Sequence, residues 1–247
     1  MNPAVPENVR AEIAPNGVMR AGVNLGNAVV AQKDPAGGPP RGVGPSLARE
    51  LARRLGARIE YVTYDAAGKM ADALRRGEWD VAFLAVEPQR ANEIAFSAPY
   101  LQIEAGFMVR ADSPLTRLDE FDRKGLRIAS GNNGAYDLWL QRNFKNAERV
   151  LSPTTPGAIE MFLARPDLDA VANVRPALVA AAAKNPGMRV IEGSFMSINQ
   201  AAGVPRQREA AARYVREFIE EMKASGFVER ALRDSGVTEA TVAGPAR

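Results

Sequence analysis

The sequence predicts an α/β protein, and three observations carry that prediction. Short apolar runs alternate with amphipathic stretches along most of the 247 residues, as expected when buried parallel strands are joined by crossover helices. Glycines stand where those stretches stop, at Gly56, Gly77 and Gly226, and glycine readily takes the left-handed conformation that closes a helix. The composition, 46% hydrophobic and 25% charged, is that of a soluble globular chain with material for one or two domains.

The elements follow in order. Val5, Val9 and Ile13 mark a short amphipathic helix closed by Pro15-Asn16-Gly17. A strand over 18–23 leads into a polar loop from Asn24, and the Gly/Pro-rich residues 34–45 read as a hairpin-like excursion. Leu47, Leu51 and Leu55 repeat at i, i+4, i+8 and predict a helix over 46–55. A strand at 57–64, a helix at 67–76 and a strand at 80–86 complete a β-α-β-α-β run, which implies a parallel sheet with right-handed crossovers. A further strand falls at 106–110, a short helix at 118–121 and a strand at 125–129. After these come a helix at 135–144, a strand at 149–151, a helix at 156–163 and a strand at 168–173. An alanine-rich helix at 176–184 and strands at 190–191 and 197–204 follow. Helix 208–225 stops at Gly226, residues 227–235 end the ordered chain, and 238–247 read as a loose tail.

Composition also excludes chemistry. There is no cysteine and no histidine, so thiol nucleophiles, disulfides, His general bases and the common zinc sites are ruled out. Formal net charge is +3 with bases scattered among acids, which gives no basic stripe for nucleic acid. No apolar stretch approaches the ~20 residues of a membrane span. The opening MNPAVPENVRAEIAPNG shows no apolar core or cleavage pattern of a signal peptide.

The most informative stretch is WDVAFLAVEPQRANEIAFSAPY, Trp79 to Tyr100. A buried strand there would deliver Arg90 just beyond its carboxyl end, where ligands of open α/β sheets sit. A guanidinium in that place can grip a carboxylate through two parallel hydrogen bonds. The segment resembles the "D-hydrophobics-T-x-x-R-x-x-x-I-x-F-S-x-P-Y" region of the family 3 bacterial solute-binding proteins. Residues 42–56, GVGPSLARELARRLG, are similar to that family's "L-A-x-x-L-A-x-x-L-G" helix. The resemblance covers about residues 18 to 235.

That resemblance implies a two-lobed periplasmic-binding-protein-like fold of type II with two crossovers between lobes. Residues 1–107 plus 197–247 would form lobe 1, and 108–196 an inserted lobe 2. It implies an amino-acid-like or amino-acid-derived carboxylate as ligand, with Arg90 holding the carboxylate. Asn24 matches the family's first polar ligand residue, and Asn27 stands where an aromatic wall is usual; both also suit turns. Phe83, Ala85 and Glu87 replace the usual hydroxyl residues, with Phe83 either a substitute wall or core. Asn132, Asn133 and Gly134 replace the second lobe's "G-[ST]-[ST]" turn, where helix amides bind an anion, and Tyr136 follows in the first turn. The family's closing Asp, which holds the ligand's ammonium, is absent. Asn173 or Val174 takes its place, with Arg175 next.

The function so implied is a non-enzymatic receptor of an ABC uptake system, monomeric and periplasmic, with an inner-membrane permease as partner and neither cofactor nor metal. The alternatives are an enzyme resembling cyclohexadienyl dehydratase and, given no evident signal peptide, a cytoplasmic small-molecule sensor.

Overall fold

The computed structural model describes residues 5–237 and 239–246. The chain divides into two compact units. The first holds the residues up to Tyr64, Lys69–Gln102 and those from Asn199 onward; the second holds Asp65–Gly68 and Ile103–Ile198.

In the first unit, α1 (Glu7–Ile13) precedes β1 (Val18–Asn24), α2 (Val43–Leu55), β2 (Arg58–Tyr64) and, from Lys69 onward, α3 (Ala67–Asp72). The strands β3 (Val81–Ala85) and β4 (Ile94–Phe96) follow. β1 pairs in parallel with both β2 and β3. Pro6 sets the start of α1 one residue past Val5, at the N-cap. The Leu47–Leu51–Leu55 stripe of α2 is buried, and Gly56 closes that helix at φ 63°, a conformation that penalises a β-carbon. The helix expected over 67–76 is α3 continued by a tighter 3-10 turn, Ala73–Arg76, ending at Gly77. Trp79 is fully buried among Met70, Ala73, Ala82, Leu84 and Ile94, with its indole N–H donated to the Met70 carbonyl at 2.8 Å. Gln32 and Arg41 form an antiparallel bridge at the base of the hairpin-like excursion, closed by an Asp34–Arg41 ion pair at 2.8 Å.

β5 (Leu101–Arg110) leads into the second unit, where β6 (Arg127–Gly131), α4 (Ala135–Asn143), β7 (Glu148–Ser152) and α5 (Thr155–Ala164) repeat the alternation. β8 (Ala170–Val174), α6 (Arg175–Lys184) and β9 (Met188–Val190) complete it. β6 pairs in parallel with β7 and β8, and β8 runs antiparallel to β5. Met108, Ala129, Phe162, Leu168, Val171 and Leu178 form its core. The helix expected at 118–121 is a single 3-10 turn, Leu118–Glu120.

β10 (Met196–Pro205) brings the chain back to the first unit, running antiparallel to β3 and β4, and α7 (Glu209–Ala224) and α8 (Phe227–Asp234) follow. α7 packs on α1 and β4. A buried carboxylate ties this unit together. Asp80 accepts from the Arg20 guanidinium at 2.8 and 2.9 Å and from Arg208 at 2.9 Å, and Arg208 also donates to the Glu12 carbonyl at 2.6 Å.

The loose tail is a correction. Positions 238 and 247 lie outside the described residues, but between them β11 (Thr241–Val242) pairs antiparallel with Leu101 and Gln102. Ala243 is buried and its N–H meets the Tyr100 carbonyl at 3.1 Å, while Lys223 donates to the Gly244 carbonyl at 2.8 Å. A Thr-Val-Ala run can satisfy open strand-edge groups that would otherwise be left unpaired, and here it does.

Candidate ligand-binding residues

The candidate residues fall at the carboxyl ends of parallel strands, each set within its own unit. In the first unit β1 ends at Asn24 and β3 at Ala85. Asn24 Oδ1 accepts from the Gly26 N–H at 2.9 Å, and Asn27 Oδ1 from the Val29 N–H at 3.2 Å. Both are Asx turns, which suit short side chains able to bond their own backbone two residues on. The Asn27 N–H donates to the Asn24 carbonyl at 3.3 Å, so the two belong to one buried loop.

Beyond β3 the chain winds into a tight turn, with Ala91 N–H on the Glu87 carbonyl at 3.0 Å and Glu93 N–H on the Arg90 carbonyl at 3.1 Å. This winding returns the Arg90 side chain toward the strand. Its guanidinium donates to the Ala85 carbonyl at 3.0 Å, and only 7% of the residue is exposed. Burial pushes Arg90 down to about 10, against the opposing pull of Glu87 and Asp72. The group stays cationic at neutral pH, but its charged form is disfavoured, and a bound anion would relieve that cost. Glu87 is buried as well. Phe83 is enclosed in this unit, edge-to-face with Tyr100 at 6.2 Å.

In the second unit β6 ends at Gly131, and the turn through Asn132 and Asn133 opens α4 at Gly134. Asn133 takes a left-handed φ of 57°, tolerable for Asn, and its N–H donates to Asp137 Oδ2 at 3.0 Å. Asp137 is buried and paired with Arg149 at 2.6 Å. The Tyr136 side chain folds back over the strand end, so closely that a methyl added at Gly131 would lie 2.7 Å from its hydroxyl oxygen. That hydroxyl and the Ser130 hydroxyl are both buried without an aligned hydrogen-bond partner. Ser130 was not among the residues singled out from sequence; its only signal was a hydroxyl at a strand end beside a helix N-terminus.

At the end of β8, Asn173 is fully buried. Its Nδ2 donates to the Thr155 carbonyl at 3.1 Å and its Oδ1 accepts from the Val174 N–H at 2.8 Å. Thr155 also borders the Tyr136 hydroxyl at Gly131, so Asn173, Tyr136 and Gly134 form one neighbourhood. The Arg175 guanidinium instead donates to the carbonyls of Ile191 and Gly193, at 2.8 and 2.9 Å. Among the described residues no group of three or more acidic side chains is arranged to hold a metal ion, and no helix is long and apolar enough to cross a membrane.

The chain belongs to the bacterial extracellular solute-binding proteins, family 3, whose profile matches residues 20–234. Among solved structures it is similar to ArgBP from T. maritima, at 22% identity and a TM-score of 0.78, with 92% of this chain and 99% of that chain covered. It is equally similar to the solute receptor for L-cysteine of Neisseria gonorrhoeae, at 22% identity, 92% coverage of each chain and a TM-score of 0.79. An ancestral amino acid-binding protein, a precursor of cyclohexadienyl dehydratase, is 20% identical over 90% of this chain and 97% of that one, with a TM-score of 0.75. At such identities the likeness carries the fold. No curated protein matches the chain.

Proposed function

We propose that the protein is the receptor of an ABC-type uptake system for a small carboxylate-bearing solute that lacks a free α-ammonium or carries a second polar end. Arg90 carries the reading. It is a buried cation at the carboxyl end of β3, and burial holds its charged form at a disadvantage. A carboxylate entering there gains a charge-assisted, two-pronged contact and restores the guanidinium's stability. The second unit carries neutral donors of its own that suit an anion: the amides opening α4, the Asn132 and Asn133 side chains, and the buried hydroxyls of Tyr136 and Ser130.

The absence of a carboxylate at the end of β8 supports the finer statement. An ammonium taken out of water needs an anionic or fully bonded partner. Asn173 is neutral and has its amide occupied at both ends by backbone groups, and the next residue is the cation Arg175. Glu87 is a buried carboxylate whose charge acts on Arg90. A thermal-shift panel separates the possibilities. Keto acids, dicarboxylates or N-substituted amino acids should raise the melting temperature more than simple α-amino acids do. Clear stabilisation by simple α-amino acids, lost in Glu87→Gln, would show that Glu87 replaces the missing Asp.

A further inference from the structure

The second unit carries, at the opposite end of α4 from Gly134, a pocket of about 330 Å³ that the receptor reading does not use. Leu118, Trp139, Phe144 and Phe195 supply its apolar walls, and Asp119 and Asp122 its charge. The rings are fixed from behind. Phe107 is fully buried and stacks on Phe121 at 4.0 Å, on Phe195 at 4.6 Å and on Phe144 at 6.2 Å. Trp139 in turn meets Phe195 at 5.0 Å and Phe144 at 6.0 Å. Such walls are ordered before any ligand arrives, which lowers the entropic cost of binding.

The two carboxylates differ. Asp119 is chelated by Arg117 at 3.0 and 3.1 Å, which offsets its charge. Asp122 accepts from the main-chain N–H groups of Lys145, Asn146 and Ala147 at 3.0, 2.7 and 3.0 Å and from the Asn146 side-chain amide. These donors are neutral. Burial opposes ionisation of Asp122, but the amides outweigh it and keep the group below the ordinary carboxylate range. It is therefore a fixed anion at an aromatic wall, oriented by backbone rather than by a cationic side chain.

We infer that this pocket binds a methylated ammonium group of a small organic cation. A hard metal ion needs six or more oxygen ligands or ordered waters; besides its rings the pocket offers Asn143 and two carboxylates, of which Asp119 is engaged by Arg117 and Asp122 by main-chain amides. A primary ammonium needs acceptors for three N–H donors. A methylated nitrogen needs neither: its charge is spread over methyl groups that pack on ring faces, and a nearby carboxylate adds long-range attraction. The volume lies at the lower end of the range for small-ligand sites.

The two tryptophans make the test internal. Trp79 is fully buried in the first unit with its indole N–H bonded to Met70, so its NMR signal serves as the reference. Titration with tetramethylammonium should shift the Trp139 indole signal saturably and leave that of Trp79 in place. tert-Butanol, similar in shape but neutral, should bind about tenfold more weakly or worse, as should tetramethylammonium to Asp122→Asn. No saturable shift at Trp139, an equal response to tert-butanol, or undiminished binding in a folded Asp122→Asn protein each overturns the inference. The tert-butanol comparison needs no variant and stands if Asp122→Asn fails to fold.

Discussion

The two ends of β3 each carry a buried charge, and they treat it in opposite ways. At the amino end, Asp80 is wholly enclosed, yet the hydrogen bonds and charges of Arg20 and Arg208 outweigh the burial that opposes its ionisation and draw it below the usual carboxylate range. At the carboxyl end, Arg90 is enclosed and burial dominates, lowering it to about 10 despite Glu87 and Asp72. Both charges have partners in the fold, but at Asp80 the partners outweigh burial and at Arg90 burial outweighs them. Buried charge by itself therefore does not mark a site. The sign of the balance between burial and partners separates a structural ion from a candidate ligand group.

Substitution at each end should separate stability from binding. Asp80→Ala leaves Arg20 and Arg208 without their shared carboxylate; because those side chains are 35% and 27% exposed, solvent screens the orphaned charges and the loss should fall below the roughly 3–5 kcal/mol of a fully buried pair. Urea unfolding should register that loss, while the folded fraction keeps its ligand affinity. Arg90→Ala should act chiefly on binding. Some stability is lost with its hydrogen bond to the Ala85 carbonyl and its attraction to Glu87, offset in part by removal of a cation that burial disfavours, while affinity for the best-stabilising compound of the panel should fall by about 2–5 kcal/mol in calorimetry. Arg90→Lys should also bind more weakly, since an ammonium lacks the fork. If Arg90→Ala destabilised the protein as much as Asp80→Ala, the distinction between the two ends would collapse.

The pH dependence should divide along the same line. The folded pKa of Asp80 is depressed, so its contribution is complete above the unfolded carboxylate value and is lost as pH falls through the folded one. Acid unfolding should therefore be less steep in Asp80→Asn than in the parent. Arg90 is a base whose folded value burial lowers, yet a guanidinium keeps its proton in proteins. Ligand affinity should therefore hold steady from neutral pH through the mildly alkaline range, and calorimetry across the range reads it directly.

Much of this was legible from sequence, where one physical rule dominates. The Leu47–Leu51–Leu55 stripe and the glycine stops Gly56 and Gly77 fixed helices because spacing and backbone freedom are local properties. Apolar runs became strands because burial on both faces requires them. Ile94–Phe96 was not read as a strand, since its three residues carry too little periodicity. The tail was misread because Thr241–Val242 gains order only from the edge it pairs with, a partner far away in sequence. Asn173 shows a similar limit among the candidate residues. Its place at a strand end was readable, but its engagement with Thr155 and Val174 depends on the packing of α5. The docking of Arg175 on two carbonyls near residue 192 was equally hidden.

The smallest effect gives the finest test of the contrast between groups that stabilise the fold and groups that would bind a ligand. Tyr136 is 3% exposed, and its hydroxyl lies within reach of Thr155 and Gly131 but is aligned with neither. Burial raises its pKa, so it is present as a neutral donor. A buried hydroxyl without a partner costs roughly 1–3 kcal/mol, and replacing it by an apolar group of the same shape should recover part of that. Tyr136→Phe should therefore be about as stable as the parent or up to ~1 kcal/mol more stable, and urea unfolding measures the difference. If the hydroxyl serves a ligand, the same variant should bind roughly tenfold more weakly, the worth of one good hydrogen bond. A loss of stability with unchanged affinity would instead place Tyr136 with Asp80, among the groups the fold itself consumes.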